Sequence, residues 1–362
     1  MADVVYLHIG APKTGTTYLQ GRLYANRVTL AERGIHYPVG PEPDMFGAAL
    51  DLIDRQWGGL REQFRGEWDV LMGRVAGVRG TAIVSHEILA GATPEQIQRA
   101  KRDLAGTELH LVYSARDIAR QVPAEWQESV KHRNVRSFQQ YLRQLQRAQR
   151  SNDPLWFWRV QGLPDVLNRW SAGLPPERVH LITVPRSGAA PDELWLRYCR
   201  AFSIDPADAP IEAERSNPSL GIEETALVRE LNRRLRAAEL DSAQYRELVR
   251  RVVVHETLAH RSPMRKVELP PRAREWAQDV ADSWIDWVQG AGIDVVGDIE
   301  ELRPEFREDE VWADPDKPRK RLMADAALDA LTAVVLEAAE RPAPKDPPLT
   351  RLSRAARKLA GT

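Results

Sequence analysis

A glycine-bearing loop follows the first strand-like run of the sequence and holds the residue types best suited to chemistry. The loop spans residues 10–17, Gly-Ala-Pro-Lys-Thr-Gly-Thr-Thr, and a helical pattern comes next. Where a strand leads through such a loop into a helix, unpaired backbone N–H groups and the positive helix end converge on one point. The segment therefore predicts a binding site for an anion such as phosphate or sulfate.

The spacing of the loop separates it from the nucleotide loop of ATP-dependent enzymes. That loop follows the pattern G-x-x-x-x-G-K-[ST]. The present sequence keeps Gly10, Gly15 and Thr17 but has Thr16 in place of the lysine, and its own lysine, Lys13, comes three positions earlier. A P-loop kinase with a displaced lysine stays an alternative, and it is disfavoured because the Mg²⁺-nucleotide site needs lysine beside the hydroxyl residue.

The elements that must position this loop form an alternating pattern. Short β-rich runs at 4–9, 81–85, 109–113 and 179–184 predict buried parallel strands. Helical patterns alternate with them at 16–32, 60–79, 94–104, 118–132, 136–150 and 160–173. This order predicts an α/β fold with a mostly parallel sheet and a ligand site at the carboxyl ends of its strands.

The second half of the chain carries a different pattern. No further strand is predicted after about residue 190, and helices are predicted at 191–203, 222–238, 241–261 and 271–289, the last starting at the Pro270–Pro271 pair. We therefore predict one domain over residues 1–305, strand-rich to 190 and a helical cap from 191. Residues 306–362 are predicted to form a linker, an Ala/Leu-rich helix at 322–340 and a basic tail.

Composition excludes several classes of function. The 362 residues have a formal net charge of −1, so a nucleic-acid partner is not expected. The apolar runs are far shorter than the roughly 20 residues of a membrane span, and no secretory signal is recognised, so a cytoplasmic protein is expected. The only cysteine, Cys199, has apolar neighbours and is predicted to be a buried, inert thiol.

The basic tail allows two interpretations. Residues 341–362 contain six Lys and Arg against one Asp, with a weak apolar stripe at Leu349, Leu352 and Leu359. A solvated terminus is favoured, with a weak contact to an anionic membrane or a partner as the alternative.

The string Pro12-Lys13-Thr14-Gly15-Thr16-Thr17 resembles the 5′-phosphosulfate loop of sulfotransferases that use 3′-phosphoadenosine-5′-phosphosulfate (PAPS). The wider string, residues 8–20, resembles the opening of bacterial, actinobacterial-type members of that superfamily. The resemblance extends over about residues 3–305 and is strong only near 5–20 and 108–133. It implies a P-loop-NTPase-like three-layer fold, with PAPS bound by Gly10 and residues 12–17.

A second family element is an Arg after a later strand, with a Ser on the next helix, both holding the 3′-phosphate. Arg116 matches the first half, and a guanidinium suits phosphate. The usual serine position is Ala124 here, so Gln127, Ser129, backbone groups or the Lys131/Arg133 pair are the candidates to replace it. The alternative for Arg116 is a surface ion pair with Asp117 or Glu125.

The resemblance also implies a base that accepts the proton of the acceptor hydroxyl, a His or Glu just after a strand. Both His86 and Glu87 follow the run at 81–85, and strand alternation places them on opposite sides, so one of them faces the substrate. Glu87 is favoured because bacterial relatives carry Ser-x-Glu at this point. A capping or packing role is the alternative for each.

Three shorter strings resemble the family more weakly. Glu125-Trp126-Gln127 resembles an acceptor-facing patch, although Trp126 as plain core is equally expected. The string at 215–220 resembles a lid before a helix, with Ser219 as a simple N-cap as the alternative, and the string at 294–299 is expected to be structural.

The function implied is sulfuryl transfer from PAPS to a hydroxyl or amine, with release of 3′-phosphoadenosine-5′-phosphate (PAP) and no metal ion. The acceptor is a small molecule, lipid or glycan; tryptophans such as Trp57, Trp68, Trp126, Trp156 and Trp158 are equally expected in the core or as an acceptor platform. A non-catalytic nucleotide-binding module is the other alternative.

Overall fold

The computed structural model describes residues 1–40, 45–151, 155–212, 219–236, 238, 240–306 and 311–341. Within them, six strands form one sheet in the order β2-β3-β1-β4-β5-β6, and every neighbouring pair is parallel. The strands are β1 (Val4–His8), β2 (Ile35–His36), β3 (Thr81–Ser85), β4 (Glu108–Ala115), β5 (Val179–Thr183) and β6 (Asp294–Val296). The predicted α/β fold with a parallel central sheet is confirmed.

The strand order explains where a ligand can bind. The chain leaves β1 towards β2 and β3 on one side, then crosses to β4, β5 and β6 on the other side. The carboxyl ends of β1 and β4 therefore diverge at a topological switch point, which is the usual ligand crevice of such sheets. The loops after β1 and β4 are those that hold Lys13 and Arg116.

The core lies around the sheet because its central strands are apolar on both faces. All five residues of β5 and the last four of β1 are buried. The largest fully buried side chains include Trp68, Trp126, Trp170 and Trp195 on the surrounding helices. Cys199 is buried among them, and burial raises the pKa of its thiol to about 12, which agrees with the predicted inert residue.

Helices account for most of the remaining described residues. They are α1 (Thr16–Ala25), α2 (Arg27–Glu32), α3 (Phe46–Ile53), α4 (Glu67–Ala76), α5 (Pro94–Asp103), α6 (Ile118–Lys131), α7 (Phe138–Ser151), α8 (Trp156–Gln161), α9 (Leu163–Ser171), α10 (Glu193–Ala201), α11 (Ile222–Leu235), α12 (Ser242–Gln244), α13 (Arg274–Ala291) and α14 (Lys320–Glu340). A π-helical segment, Tyr245–Thr257, continues α12.

The structure corrects several predicted elements. Strands do not stop at about residue 190, because β6 pairs with β5 far downstream. The predicted helix at 16–32 is divided at Asn26, and the one at 160–173 is two helices that meet at Gly162. Helix α3 was not predicted; nearly all its side chains are apolar and five of its eight residues are buried, so it lacks the polar stripe of an amphipathic pattern.

The last described helix belongs to the packed body of the protein. Helix α14 contacts α11 and the π-helical segment, and it buries Ala326 and Ala330. Arg251 also pairs with Glu337 at 3.1 Å. The basic tail at 342–362 lies outside the described residues. No helix among those described is long and apolar enough to cross a bilayer.

Candidate functional site

The loop after β1 has the shape of an anion cradle. Gly10 has φ +120°, and a Cβ there would lie 2.8 Å from the Glu87 carbonyl oxygen. Gly15 has φ +91° and precedes α1 without a side-chain cap, and no acidic residue lies in the first turn. Both positions thus require glycine. Within the part of the chain that the structure describes, α1 has neither a side-chain cap nor an acid in its first turn, which leaves its first amides suited to an external anion.

Buried hydrogen bonds fix the loop. The Pro12 carbonyl accepts from Gln121 Nε2 at 2.5 Å and from Gln161 Nε2 at 2.9 Å. The Thr14 hydroxyl donates to the Ala11 carbonyl at 2.6 Å, inside the loop. Consequently the Thr14 hydroxyl, predicted as an anion donor, is turned away from the ligand side, and only its backbone amide is left for that role.

A buried histidine ties the strands under the loop together. His8 Nδ1 lies 2.8 Å from Ser85 Oγ on β3, and Nε2 lies 3.1 Å from Ser114 Oγ on β4. Burial lowers the pKa of His8 to about 3, so its imidazole is neutral. Tyr198 extends this network from Ser114 Oγ to the Thr14 carbonyl.

The loop opens on a cavity of about 970 Å³. Its lining combines the predicted loop with residues after β3, on α6 and on α8. The residues predicted from the sequence that line it are Pro12, Lys13, Gly15, Thr16, Thr17, Glu87, Arg116, Gln127 and Ser129. The structure therefore brings residues more than a hundred positions apart into one cavity, at the predicted edge of the sheet.

Lys13 enters this cavity next to an acid that the sequence did not single out. Lys13 Nζ donates to Glu128 Oε2 on α6 at 2.6 Å. Three further basic side chains surround the same carboxylate: Lys131 at 3.5 Å, His132 at 3.2 Å and Arg250 at 3.5 Å. Burial opposes ionisation, but the His132 hydrogen bond and the lysine charges hold the pKa of Glu128 well below its usual range. Glu128 is therefore an anion within a basic cluster.

Glu87 and His86 have different surroundings. Glu87 lines the cavity, while His86 is buried, packs against Phe46 at 5.6 Å between ring centroids, and accepts from the Ile88 amide at 3.3 Å. Burial opposes the ionisation of Glu87, yet His86, a backbone hydrogen bond, Thr16 and Lys13 together lower the pKa of its carboxyl. Of the two candidates for the base, Glu87 is thus the one that faces the cavity as an ionised carboxylate, with His86 behind it.

Arg116 lies at the switch point and is held there by Gln121. Its Nε donates to Gln121 Oε1 at 2.9 Å, and its Nη2 donates to the Arg120 carbonyl at 2.9 Å. The predicted alternative is a surface ion pair with Asp117 or Glu125. Among the described residues Arg116 forms neither pair: Asp117 pairs with Arg120, and Glu125 accepts from Gln161. Since the Gln121 amide also holds Pro12, one buried side chain fixes both the loop and Arg116.

Several of the residues that could replace the usual serine at the 3′-phosphate form hydrogen bonds with other groups of the protein. Gln127 Nε2 donates to the Leu220 carbonyl and to Thr225 Oγ1, which fastens the segment before α11. Ser129 Oγ donates to the Trp126 carbonyl at 2.7 Å. Arg133 turns away to the carbonyls of 240 and 241, whereas Lys131 lines the cavity.

Two other sequence predictions are changed. Ser219 is not an N-cap, because α11 starts at Ile222 with Gly221 as its cap, and Ser219 instead lines the cavity. Residues 215–218 of the predicted lid lie outside the described part of the chain. Trp126 is fully buried and donates to the Arg136 carbonyl at 3.1 Å, so its role is in the core.

A second buried acid in the cavity is Glu125. Burial raises the pKa of its carboxyl to about 7, and the charge of Lys13 opposes that rise. Gln161 Nε2 donates to Glu125 Oε1 at 3.2 Å. Glu125 therefore changes charge near neutral pH, at the side of the cavity that faces α8.

This shift predicts a pH-dependent difference in stability. Glu125 has a higher pKa in the folded chain than in the unfolded chain, so its protonated form stabilises the fold. This contribution to the free energy of unfolding is complete below pH 4.5, the unfolded pKa, and is lost as the pH rises through about 7. Glutamine carries no titrating proton, so the variant should not lose this contribution. We expect the free energy of unfolding of Glu125→Gln, relative to that of the native chain, to rise by up to about 3 kcal/mol from pH 5 to pH 8. Urea unfolding of both proteins at the two pH values measures this.

The control for that experiment is Glu230→Gln, an exposed carboxylate on α11 that pairs with Arg233 and Arg234. It should follow the pH dependence of the native chain at pH 5 and 8. If the free energy of unfolding changed equally with pH in Glu125→Gln and in the native chain, a raised pKa at Glu125 would be contradicted.

No protein-family model and no curated protein sequence matches the chain. The structure is similar to that of a sulfotransferase from Alicyclobacillus acidocaldarius, with 18% identity, a TM-score of 0.36, and coverage of 68% of this chain and 95% of that one. It is also similar to the sulfotransferase domain from the curacin biosynthetic pathway, with 12% identity, a TM-score of 0.32, and coverage of 78% and 97%. Both are sulfotransferases.

Proposed function

We propose that this chain is a sulfotransferase that moves a sulfuryl group from PAPS to a hydroxyl or amine acceptor and releases PAP. The observation that supports this most is the meeting of three groups in one cavity: Lys13 in an anion cradle, the ionised Glu87 and the half-buried Arg116. Each group follows a different parallel strand. Together they match the charges of a donor with two anionic ends and an acceptor that must lose a proton.

The donor fits the chain's own cations and amides. The 5′-phosphosulfate would bind the amides at the start of α1, the Thr16 and Thr17 hydroxyls and Lys13. The 3′-phosphate would bind Arg116, whose pKa burial lowers only to about 10, so it stays charged at neutral pH. The Arg116 bonds to Gln121 and Arg120 use Nε and Nη2, which leaves Nη1 for a phosphate oxygen.

The transfer step requires one bond to form and one to break. The acceptor oxygen attacks sulfur in line, and its proton passes to the Glu87 carboxylate. The bond between sulfur and the bridging oxygen breaks, and that oxygen leaves with the electron pair as part of PAP. Lys13 stabilises the charge that grows on the leaving oxygen, an effect that is largest in the transition state.

Lys13 must change partner during this cycle. In the structure its ammonium group binds Glu128, which also has Lys131, His132 and Arg250 around it. Movement of Lys13 towards the donor therefore leaves Glu128 with other cations and no unpaired buried charge. The basic cluster therefore keeps the charge of Glu128 balanced when Lys13 moves.

Glu87→Gln tests the assignment of the base. Loss of a general base typically slows a reaction by about 10²–10⁴-fold, and we expect a drop of that size in the rate of sulfuryl transfer with PAP affinity nearly unchanged. His86→Asn should have a smaller effect, because His86 does not line the cavity. Single-turnover kinetics with labelled PAPS, together with PAP titration, separate the two steps.

Glu230→Gln is again the matched carboxylate control and should transfer at the native rate. A Glu87→Gln protein that transfers at the native rate would remove Glu87 from the mechanism. If His86→Asn alone lost transfer, His86 would be the base instead.

A further inference from the structure

One end of the cavity is lined by aromatic side chains, which the phosphate and sulfate groups of the donor do not require. Trp57, Trp156 and Phe157 line it, next to Leu155 and Tyr141. Of the five tryptophans considered as a platform from the sequence, only Trp57 and Trp156 line the cavity; Trp68 and Trp126 are fully buried, and Trp158 is nearly so. The rings that this end offers to a ligand are therefore mainly the half-buried indoles of Trp57 and Trp156, because Phe157 and Tyr141 are largely buried.

The two indole rings are arranged around an arginine. Their centroids are 5.9 Å apart at an interplanar angle of 71°. The Arg55 guanidinium lies 3.9 Å from the Trp156 centroid and 5.9 Å from that of Trp57. Such cation–π contacts hold the charge in place over the rings.

The arginine has a positive neighbour and no acid to balance it. Among the described residues, no Asp or Glu forms an ion pair with Arg55. Although Arg55 is partly open to solvent, the burial of the rest of its side chain and then the charge of Arg159 lower its pKa. Lys131, His132 and Arg136 add further basic side chains to the lining. An anionic group on a bound molecule would supply the missing counter-charge.

The aromatic end is next to the reacting groups. The Trp156 ring packs against Gly91, where a Cβ would lie 2.4 Å from it, and Gly91 ends the short 3₁₀ turn that starts at Glu87. Four residues of such a turn rise by about 8 Å. Trp57 meets His132 at 5.8 Å between ring centroids, and His132 binds Glu128 beside Lys13. A ring bound here would be flanked by Glu87 on one side and Lys13 on the other.

We propose that Trp57, Trp156 and Arg55 form the acceptor subsite, and that the acceptor is a hydroxylated aromatic ring carrying an acidic group. The ring would stack on the indoles, its carboxylate or phosphate would pair with Arg55, and its hydroxyl would point to Glu87. The inference rests on the proposed function for the identity of the reaction. The binding preference itself does not depend on that reaction.

The test is a set of calorimetric titrations, each done with and without saturating PAP. The probes are 4-hydroxybenzoate, the neutral ring 4-methylphenol and the ringless acid 4-hydroxybutanoate. We expect the native chain to bind 4-hydroxybenzoate at least about tenfold more tightly than either other probe, as one charged hydrogen-bonded pair supplies. Arg55→Gln should reduce the preference over 4-methylphenol to less than threefold, with PAP affinity unchanged.

Two further variants isolate the cause. Trp156→Leu should weaken both ring probes by a similar factor and keep the preference for the acid. Arg65→Gln is the matched control, since Arg65 lies in the same segment, is exposed, pairs with Glu62 and does not line the cavity. It should bind all probes as the native chain does.

The outcomes separate the two proposals. Equal binding of the three probes, or a preference that survives Arg55→Gln, overturns the acceptor subsite whatever PAP does. Failure of PAP to bind overturns the proposed function, while the PAP-free titrations still decide whether this end of the cavity selects an aromatic acid.

Discussion

Lys13→Ala should reduce sulfuryl transfer by about 10²–10³-fold, the cost typical of removing one preorganised donor to a developing negative charge. The fold should survive, because Glu128 keeps Lys131, His132 and Arg250 as partners. Single-turnover transfer from labelled PAPS measures the rate, and circular dichroism with thermal unfolding measures the fold.

The control for Lys13 is Lys317→Ala. Lys317 also faces a carboxylate, Asp314 at 3.7 Å, but it is exposed and does not line the cavity. Its removal should leave transfer unchanged. Native transfer rates in a folded Lys13→Ala protein would contradict the proposed role of the loop.

Arg116→Ala should weaken PAP binding by about 10–100-fold, since a hydrogen bond to a charged group contributes about 1.5–3 kcal/mol. Adenosine 5′-phosphate, which lacks the 3′-phosphate, should lose much less affinity. Arg116→Lys should recover only part of the loss, because an ammonium group cannot reproduce the planar fork. Calorimetry with both nucleotides on all three proteins gives these ratios.

The comparison of the two nucleotides shows whether Arg116 contacts the 3′-phosphate directly or only holds the loop in place. Arg116 also binds Gln121, which holds Pro12, so its loss could disturb the loop as a whole. A disturbed loop would weaken both nucleotides by the same factor. That result would contradict direct contact between Arg116 and the 3′-phosphate.

Much of the site could be predicted because strand ends and local motifs determine it. The loop at 10–17, Glu87 and Arg116 each directly follow a strand whose apolar run is visible in the sequence. Parallel strands bring their carboxyl ends to one edge, so three short motifs are enough to place the cavity.

The surroundings of these residues could not be predicted because distant elements supply them. The cluster around Glu128 includes Arg250, which lies on the π-helical segment, more than a hundred residues beyond α6 in the sequence. The burial that raises the pKa of Glu125 likewise arises only in the folded chain, where Gln161 on α8 contacts the carboxyl. Gln121 and Gln161 look like ordinary helical polar residues in the sequence, yet both bind the Pro12 carbonyl.

Some elements could not be predicted because they are too short or too uniformly apolar to show a hydrophobic periodicity in the sequence. Strand β6 has only three residues, and β2 has two. Helix α3 has almost no polar face. Trp57 and Trp156 could not be separated from the core tryptophans, because the residue type is the same and only the packing of α8 and of the segment after α3 exposes their rings to the cavity.

The most direct test of the central claim is calorimetric titration of the native chain with PAP and with ATP, repeated on Lys13→Ala. We expect micromolar PAP binding that is tighter than ATP binding and that is lost with Lys13. No PAP binding by a folded sample would contradict the sulfotransferase proposal, and tighter binding of ATP would favour a nucleotide kinase.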